Sequence, residues 1–438
     1  MARRRDVPPV ARPTGARRFL EWAKNLLILA LTCSAVFLAL QTPMAAEVRS
    51  WMDPAGRPAQ SVERQRSEAV TPCTLAVRSE LGLYGLSGDV TGLTRDFGRF
   101  SALLGKALDT LGSSETIQAA QWRTLLEAPG VYCAFQGAPP LSVLGAFLGE
   151  GSGLSGSAQS LLLSWDGSRV WLAWREGKGY YRLPTQLSYE QDLKPLLEEF
   201  SPNGAAFAYT LAASDETYNT LDPYVLVSMT ASQPQIYTAL SPDFVRDREA
   251  LEQLLSALGF QSGAASAYES GGELALNESG DRLRVGSQGQ VTFHAGEEDR
   301  YPVTGEGSRI TAAEAASAAW DLLNRAAGPW KGELSFVLTG LERTQAGWLV
   351  TFHGRLNGLP LTLGEEGWCA QITVEERKIS DFTLTLRAYT PTGETSVVPS
   401  ERLAAAALKS LPQAGGRLML SYSDNGGGTL SALWLALD

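Results

Sequence analysis

Two histidines, His294 and His353, supply all the imidazole of this 438-residue chain. A nucleophilic triad or catalytic metal centre draws on His together with converging Cys, Asp or Glu. His353 alternates away from the apolar face of Trp348, Val350 and Phe352, which reads as a solvated strand position. His294 closes a strand ahead of GEEDR, again a surface position. Acidic neighbours occur at Glu198 and Glu199, at Glu297, Glu298 and Asp299, at Glu365 and Glu366, and at Glu375 and Glu376. Adjacent side chains on a strand or helix point apart, so none of these is a glycosidase pair by itself. Gly151, Gly153 and Gly156 spell G-x-G-x-x-G, but a dinucleotide cradle needs a strand before it and a helix behind it. Here SLLLSWDGSRVWLAW follows, a hairpin pattern about Asp166 and Gly167. The expectation is no catalytic residue, no cofactor and no metal: a protein that is not an enzyme.

Three further residue types bear on chemistry. Cys73, Cys133 and Cys369 are odd in number and widely spaced, which fits neither a zinc site nor a disulfide framework. One pair could form; the reading preferred is three small buried apolar side chains. Asn277, Glu278 and Ser279 form a glycosylation sequon in a turn. Trp171, Trp174 and Tyr180 lie on neighbouring strand-like runs and make a candidate platform for a glycan or peptide. The same residue types serve sheet packing more often.

The chain carries 37 Lys and Arg against 47 Asp and Glu, a net charge of −10, with 44% apolar and 19% charged residues. That is a globular composition, and its acidity argues against a general nucleic-acid binder. The charge is unevenly placed. Up to Lys24 there are seven basic and two acidic residues, a net of +5, which leaves −15 for the remainder. Residues 25–46 carry no charge, and their core reads LLILALTCSAVFLAL. A bilayer core about 30 Å thick needs roughly 20 helical residues, so this run is expected to be an uncleaved transmembrane helix, preferred over a cleaved signal peptide. Positive residues stay inside, which places the N-terminus in the cytoplasm and the body outside the cell. Ala30 with Ser34, and Ala35 with Ala39, are small residues at i,i+4 and form a candidate helix–helix contact surface.

Beyond 25–46 a stalk is expected at 47–68, following the cytoplasmic head at 1–24. Three α+β domains are expected at 69–158, 159–306 and 307–438. CTLAVRSELGLYGL reads as a hairpin, and Phe97, Phe100, Leu103, Leu104, Ala107, Leu108 and Leu111 mark a helix. Ser241 and Pro242 suit the start of the helix DFVRDREALEQLLSALGF. GELALN, RLRVG and QVTFHA are three strands. Thr311 and Glu314 spell a capping box ahead of a helix that stops at Gly328. Strand runs, a helix after Pro399 and a closing hairpin follow. The fold class expected is α+β: one N-terminal transmembrane helix, then extracellular domains of antiparallel sheets with helices packed on one face.

These segments together resemble the YycH/YycI family of membrane-anchored accessory proteins of the cell-wall two-component system. The resemblance rests on the basic head with its single apolar run and on PCTLAVRSELGLYGL followed by FGRFSALLGKALDTL. It continues through the helix-and-strand series from LEQLLSALGF to VTFHA. The last part, from AWDLLNR through GWLVTFHGRLNGLPLTL to TLTLRAY, is similar to the YycI-like C-terminal domain, a PepSY-like layout, with its turn at Asn357 to Pro360. The Gly/Ser stretch at 149–157 departs from the pattern. The resemblance implies a non-enzymatic, single-pass cell-membrane regulator of a sensor histidine kinase, working with a sister YycI-like protein and binding no nucleic acid. The alternative is an extracellular binding module for cell-wall glycan or peptide.

Overall fold

A computed structural model describes residues 66–437, apart from 88–89, 150, 229–232, 262–265, 298, 306, 308 and 410–416. Among the described residues no helix is long and apolar enough to cross a membrane. The expected architecture of a spanning helix followed by antiparallel domains is therefore corrected to an α+β body with mixed sheets. The run at 25–46, with Ala30, Ser34, Ala35 and Ala39, lies outside the described residues.

The first part of the chain forms β1 (Thr74–Arg78), β2 (Tyr84–Leu86), α1 (Val90–Leu108), β3 (Glu115–Ile117), α2 (Ala119–Leu126), β4 (Gly130–Ala134), α3 (Leu141–Phe147), β5 (Ser160–Trp165), β6 (Val170–Glu176) and β7 (Gly179–Pro184). The β1–β2 turn closes at Gly82, whose φ of +75° suits a residue without a Cβ. Asp166 shapes the β5–β6 turn by accepting from the Ser168 and Arg169 amides at 2.8 and 3.0 Å. The strands pair antiparallel in the order β2-β1-β4-β5-β6-β7-β3.

This sheet is covered on both faces, not one. Leu75, Val131, Leu161, Leu172 and Trp174 face Phe97, Phe100 and Leu104 of α1 and Leu144 of α3. Ala76, Tyr132, Leu162 and Trp171 join Trp122 of α2, Phe207 and Tyr224 in a second cluster. The physical reason is the strand sequences themselves: GVYCA and SLLLS are apolar or small at successive positions, and such strands need cover on both sides. Each leucine-sized side chain so buried contributes about 1.5–3 kcal/mol.

The connecting part holds α4 (Lys194–Glu198), β8 (Ala206–Phe207), α5 (Ala208–Leu211), β9 (Leu226–Val227), β10 (Gln235–Leu240) and α6 (Arg248–Leu258). Four strands follow: β11 (Ser266–Ser270), β12 (Glu273–Glu278), β13 (Asp281–Gly286) and β14 (Gln290–His294). Helix α6 starts later than Ser241 and Pro242 imply. Asp243 makes a turn by accepting from the Val245 and Arg246 amides, and Asp247 becomes the N-cap.

The last part holds α7 (Ala312–Ala327), β15 (Ser335–Arg343), β16 (Gly347–Leu356), β17 (Leu359–Leu363), β18 (Ala370–Glu375), β19 (Lys378–Thr385), β20 (Ala388–Thr395), α8 (Glu401–Leu408), β21 (Arg417–Asp424), β22 (Thr429–Leu430) and β23 (Ala432–Leu437). The capping box forms: Glu314 N donates to Thr311 Oγ1 at 3.2 Å, and Thr311 N to Glu314 Oε2 at 2.8 Å. The large sheet runs β11-β12-β13-β14-β19-β18-β16-β17-β21-β23, with β15 on the other side of β16. β17 and β21 pair parallel, so the sheet is mixed. Helices α6 and α7 pack on one face through Leu254, Leu258, Trp320 and Leu323, against Phe293, Phe352, Ile372 and Phe382. A third sheet is β20-β10-β22.

The sheets run across the boundaries expected at 158 and 306. β4 pairs β5, and β14 pairs β19. One apolar cluster joins both main sheets. At their junction the buried Arg355 donates to the carbonyls of Thr71 and Pro72 at 2.7 and 2.9 Å, and to Gln136 Oε1 at 3.2 Å.

Candidate functional site

The three residues of the expected aromatic platform do not share a surface. Trp171 and Trp174 are three apart on β6, so they point to opposite faces. Trp171 is 9% exposed and Trp174 2%. The Trp171 indole donates to Asp166 Oδ2 at 2.6 Å, and the Arg182 guanidinium lies over its ring. Burial pushes the Asp166 carboxyl up, but hydrogen bonds from Trp171, Ser168 and Arg169 outweigh it and leave the group well below the usual carboxylate range. Trp174 stacks on Tyr181. Tyr180 shares the Trp171 side, meets Trp122 and hydrogen-bonds Tyr224. These residues pack the first sheet.

The other sequence candidates are scattered. His294 Nδ1 sits 2.6 Å from Asp381 Oδ1, with both side chains exposed on the β14–β19 pair. His353 differs from the solvated position expected of it. It is half-buried against Thr339, with Nδ1 2.6 Å from Thr339 Oγ1, and burial lowers its pKa. Strand β15, paired alongside β16, supplies the cover that alternation on β16 alone does not reveal. Cys73, Cys133 and Cys369 form no disulfide among the described residues, and burial pushes the Cys369 thiol up to about 12. Among the described residues no group of three or more His, Cys, Asp and Glu is placed to hold a metal ion. The glycines of the G-x-G-x-x-G run sit in a loop that closes on its own surroundings. Ser152 Oγ donates to Leu108 O, Leu141 N donates to Gly156 O, and Ser157 donates to Glu176.

The residues the structure does bring together come from four separate strand ends. The end of β17, the end of β19, the start of β14 and the end of β21 enclose a cleft of about 280 Å³. Asp424, 1% exposed, lies at its base. Its Oδ2 accepts from Tyr389 Oη at 2.8 Å and lies 2.8 Å from Arg387 Nε, while Oδ1 accepts from Gly426 N at 2.9 Å. The Arg387 Nε contact is an ion pair without hydrogen-bond alignment. Arg387 Nη2 donates to Gly427 O at 2.9 Å. Burial first, and the adjacent Asp424 second, push the Tyr389 hydroxyl far above the usual tyrosine range, so it stays a donor.

The hairpin turn before β14 reaches this cleft because Gly289 has φ +77° and packs on the Leu386 carbonyl, where any Cβ would overlap. Trp368, Glu365, Glu366 and Gln290 form the rim. The sequence drew attention to Glu365 and Glu366 only as an acidic pair. The signal for the cleft was the tryptophan directly after the Gly-Glu-Glu-Gly turn at 364–367.

A second feature concerns strand edges. Edges left open are usually blunted by shortness, charge, proline or a bulge. β2, β3 and β22 are two or three residues long. β11 carries Glu269, and β20 carries Pro391 and Gly393. β15 has a bulge between Leu338 and Gly340. β23 ends the large sheet and reads ALWLAL, with no charge, proline or glycine. Ala432 N donates outward to Ser396 Oγ, so alternation turns the N–H groups of Trp434 and Ala436 away from β21 as well.

No family model, no curated protein and no solved structure matches this chain.

Proposed function

We propose that the protein is a non-enzymatic accessory regulator that acts by contact with a membrane sensor histidine kinase. The resemblance to the YycH/YycI proteins supplies the partner class. The observation that carries a contact role is β23: a six-residue apolar strand at the sheet margin, free of charge, proline, glycine and bulge, with Ser396 Oγ taking the outward N–H of its first residue. Such an edge accepts an extended segment of a partner through main-chain hydrogen bonds. Leu433, 41% exposed, adds an apolar side chain beside that edge. The placement of the body outside the cell rests on the charge asymmetry of the sequence, +5 up to Lys24 and −15 beyond.

The test is a photo-crosslinking amino acid placed at Leu433 in the full chain, with the exposed Arg284 of β13 as the control position. The reading predicts a crosslink to the kinase, identified by mass spectrometry, from position 433 and not from 284. Equal labelling from both positions, or no kinase from either, counts against it.

A further inference from the structure

The cleft at the end of β17 and β21 holds polar groups that the fold itself does not use. Arg387 is 8% exposed, yet its Nη1 has no acceptor among the described residues, and its Nε, 2.8 Å from Asp424, is not aligned for a hydrogen bond. A guanidinium this buried ordinarily has its donors satisfied. Trp368 is equally unusual. Each other described tryptophan has a ring contact or an indole hydrogen bond: Trp165 stacks on Tyr189, Trp330 meets Phe244, and Trp348 donates to Ile310 O. Trp368 has neither and is only half-buried, on the cleft wall.

From these two groups and the cleft that joins them, we infer that the cleft is a binding site for a neutral saccharide. The charge of the lining decides against an anion. Glu365, Glu366 and Asp424 set three carboxylates against the single Arg387, and that guanidinium is already paired. A cationic amine would meet the acids but also the buried guanidinium. A sugar hydroxyl both donates and accepts, so it satisfies Arg387 Nη1 and a rim carboxylate at once. Gln290 extends this. Gln290 lines the cleft, and with its Oε1 accepting from Gln288 N at 3.3 Å its amide NH₂ has no acceptor among the described residues. Trp368 offers a flat apolar face for the C–H side of a pyranose ring, the usual partition of a ligand site into one aromatic wall and a few polar groups.

Size sets a further limit. At about 280 Å³ the cleft is at the small end of ligand pockets and admits one ring, with any neighbouring ring outside. The site is preorganised, since Tyr389, Gly426 and Gly427 hold Asp424 and Arg387 in place without the ligand. The inference stands apart from kinase contact, because the cleft lies at the β17–β21 pairing and the open edge lies on β23.

The experiment uses the full chain with glucose, N-acetylglucosamine and their β1,4-linked disaccharides. Glucuronate, inorganic phosphate and a neutral tripeptide serve as competitors of other chemistry. Saturation-transfer NMR and calorimetry read binding. The expected result is saturable binding of at least one neutral sugar, in the range of about 0.1–10 mM, weakened at least about tenfold by Trp368→Ala and by Gln290→Ala. Neither variant touches the Asp424 network, and thermal melting checks that both remain folded. Failure of every neutral sugar to bind, preference for the anions or the tripeptide, or unchanged affinity in folded Trp368→Ala each overturns the inference.

Discussion

Arg355 Nη1 donates to the Thr71 carbonyl at 2.7 Å across 284 positions of sequence. The arginine belongs to β16 of the large sheet, and Thr71 precedes β1 of the first. Among the described residues no carboxylate meets this buried guanidinium; two carbonyls and the Gln136 amide oxygen do. Burial lowers its pKa. Removing the side chain leaves three acceptors without their donor. Arg355→Met is expected to cost about 3 kcal/mol or more in chemical denaturation, whereas Arg282→Ala, at an exposed position of β13, stays within about 0.5 kcal/mol.

The same junction depends on Gly137. A Cβ at this position would overlap the main-chain carbonyl of Thr339 on β15. Backbone cannot step aside as a flexible side chain can. Gly137→Ala is expected to lower the melting temperature, with a cost of about 1–3 kcal/mol, while Gly98→Ala on α1, with open space around it, is neutral or stabilising.

Glu401 titrates in an unusual range. Burial raises its pKa to about 7, against a smaller opposing effect of the hydrogen bond from Ser228 N at 2.6 Å. The folded state therefore holds the proton more tightly than the unfolded chain. Stability contributed at this site declines as pH rises from the ordinary value of 4.5 through about 7, then levels off. Glu401→Gln keeps an acceptor for Ser228 N and removes the charge. Its melting temperature should exceed that of the parent at about pH 8 and match it at about pH 4. Equal melting temperatures at both pH values contradict the assignment.

Tyr389→Phe removes one donor to the buried Asp424 and leaves Arg387 and Gly426 N in place. The expected loss is about 1–2 kcal/mol in denaturant unfolding, the cost of one charge-assisted hydrogen bond.

Local structure was largely legible in the sequence. Thr311 and Glu314 marked the start of α7 because both capping partners lie within one turn. Asp166 and Gly167 marked the β5–β6 turn for the same reason of proximity. The start of α6 was not, because two aspartates, Asp243 and Asp247, compete for caps, and the second one wins. Cover on the second face of the first sheet was hidden in Trp122, Phe207 and Tyr224, which are far apart in sequence and converge only in the fold. The cleft was hidden more deeply. Asp424 ends β21 and Gln290 starts β14, while Arg387 follows β19 and Trp368 precedes β18, and no local pattern reveals the pairing order that brings these strand ends together. Trp171 and Trp174 pack the first sheet, the commoner of the two roles their residue type allowed; surface and core tryptophans on a strand look alike until their faces are known.

The central claim is regulation through contact at the open edge of β23. The most direct measurement compares kinase co-purification by the full chain and by its Ala436→Pro variant from native membranes. Proline at 436 removes an outward N–H and leaves the ladder to β21 intact, the position on an edge strand where proline is tolerated. The account predicts that the parent retains the sensor histidine kinase and that folded Ala436→Pro loses at least about tenfold of it. Equal retention by both proteins, or no kinase with the parent, contradicts it.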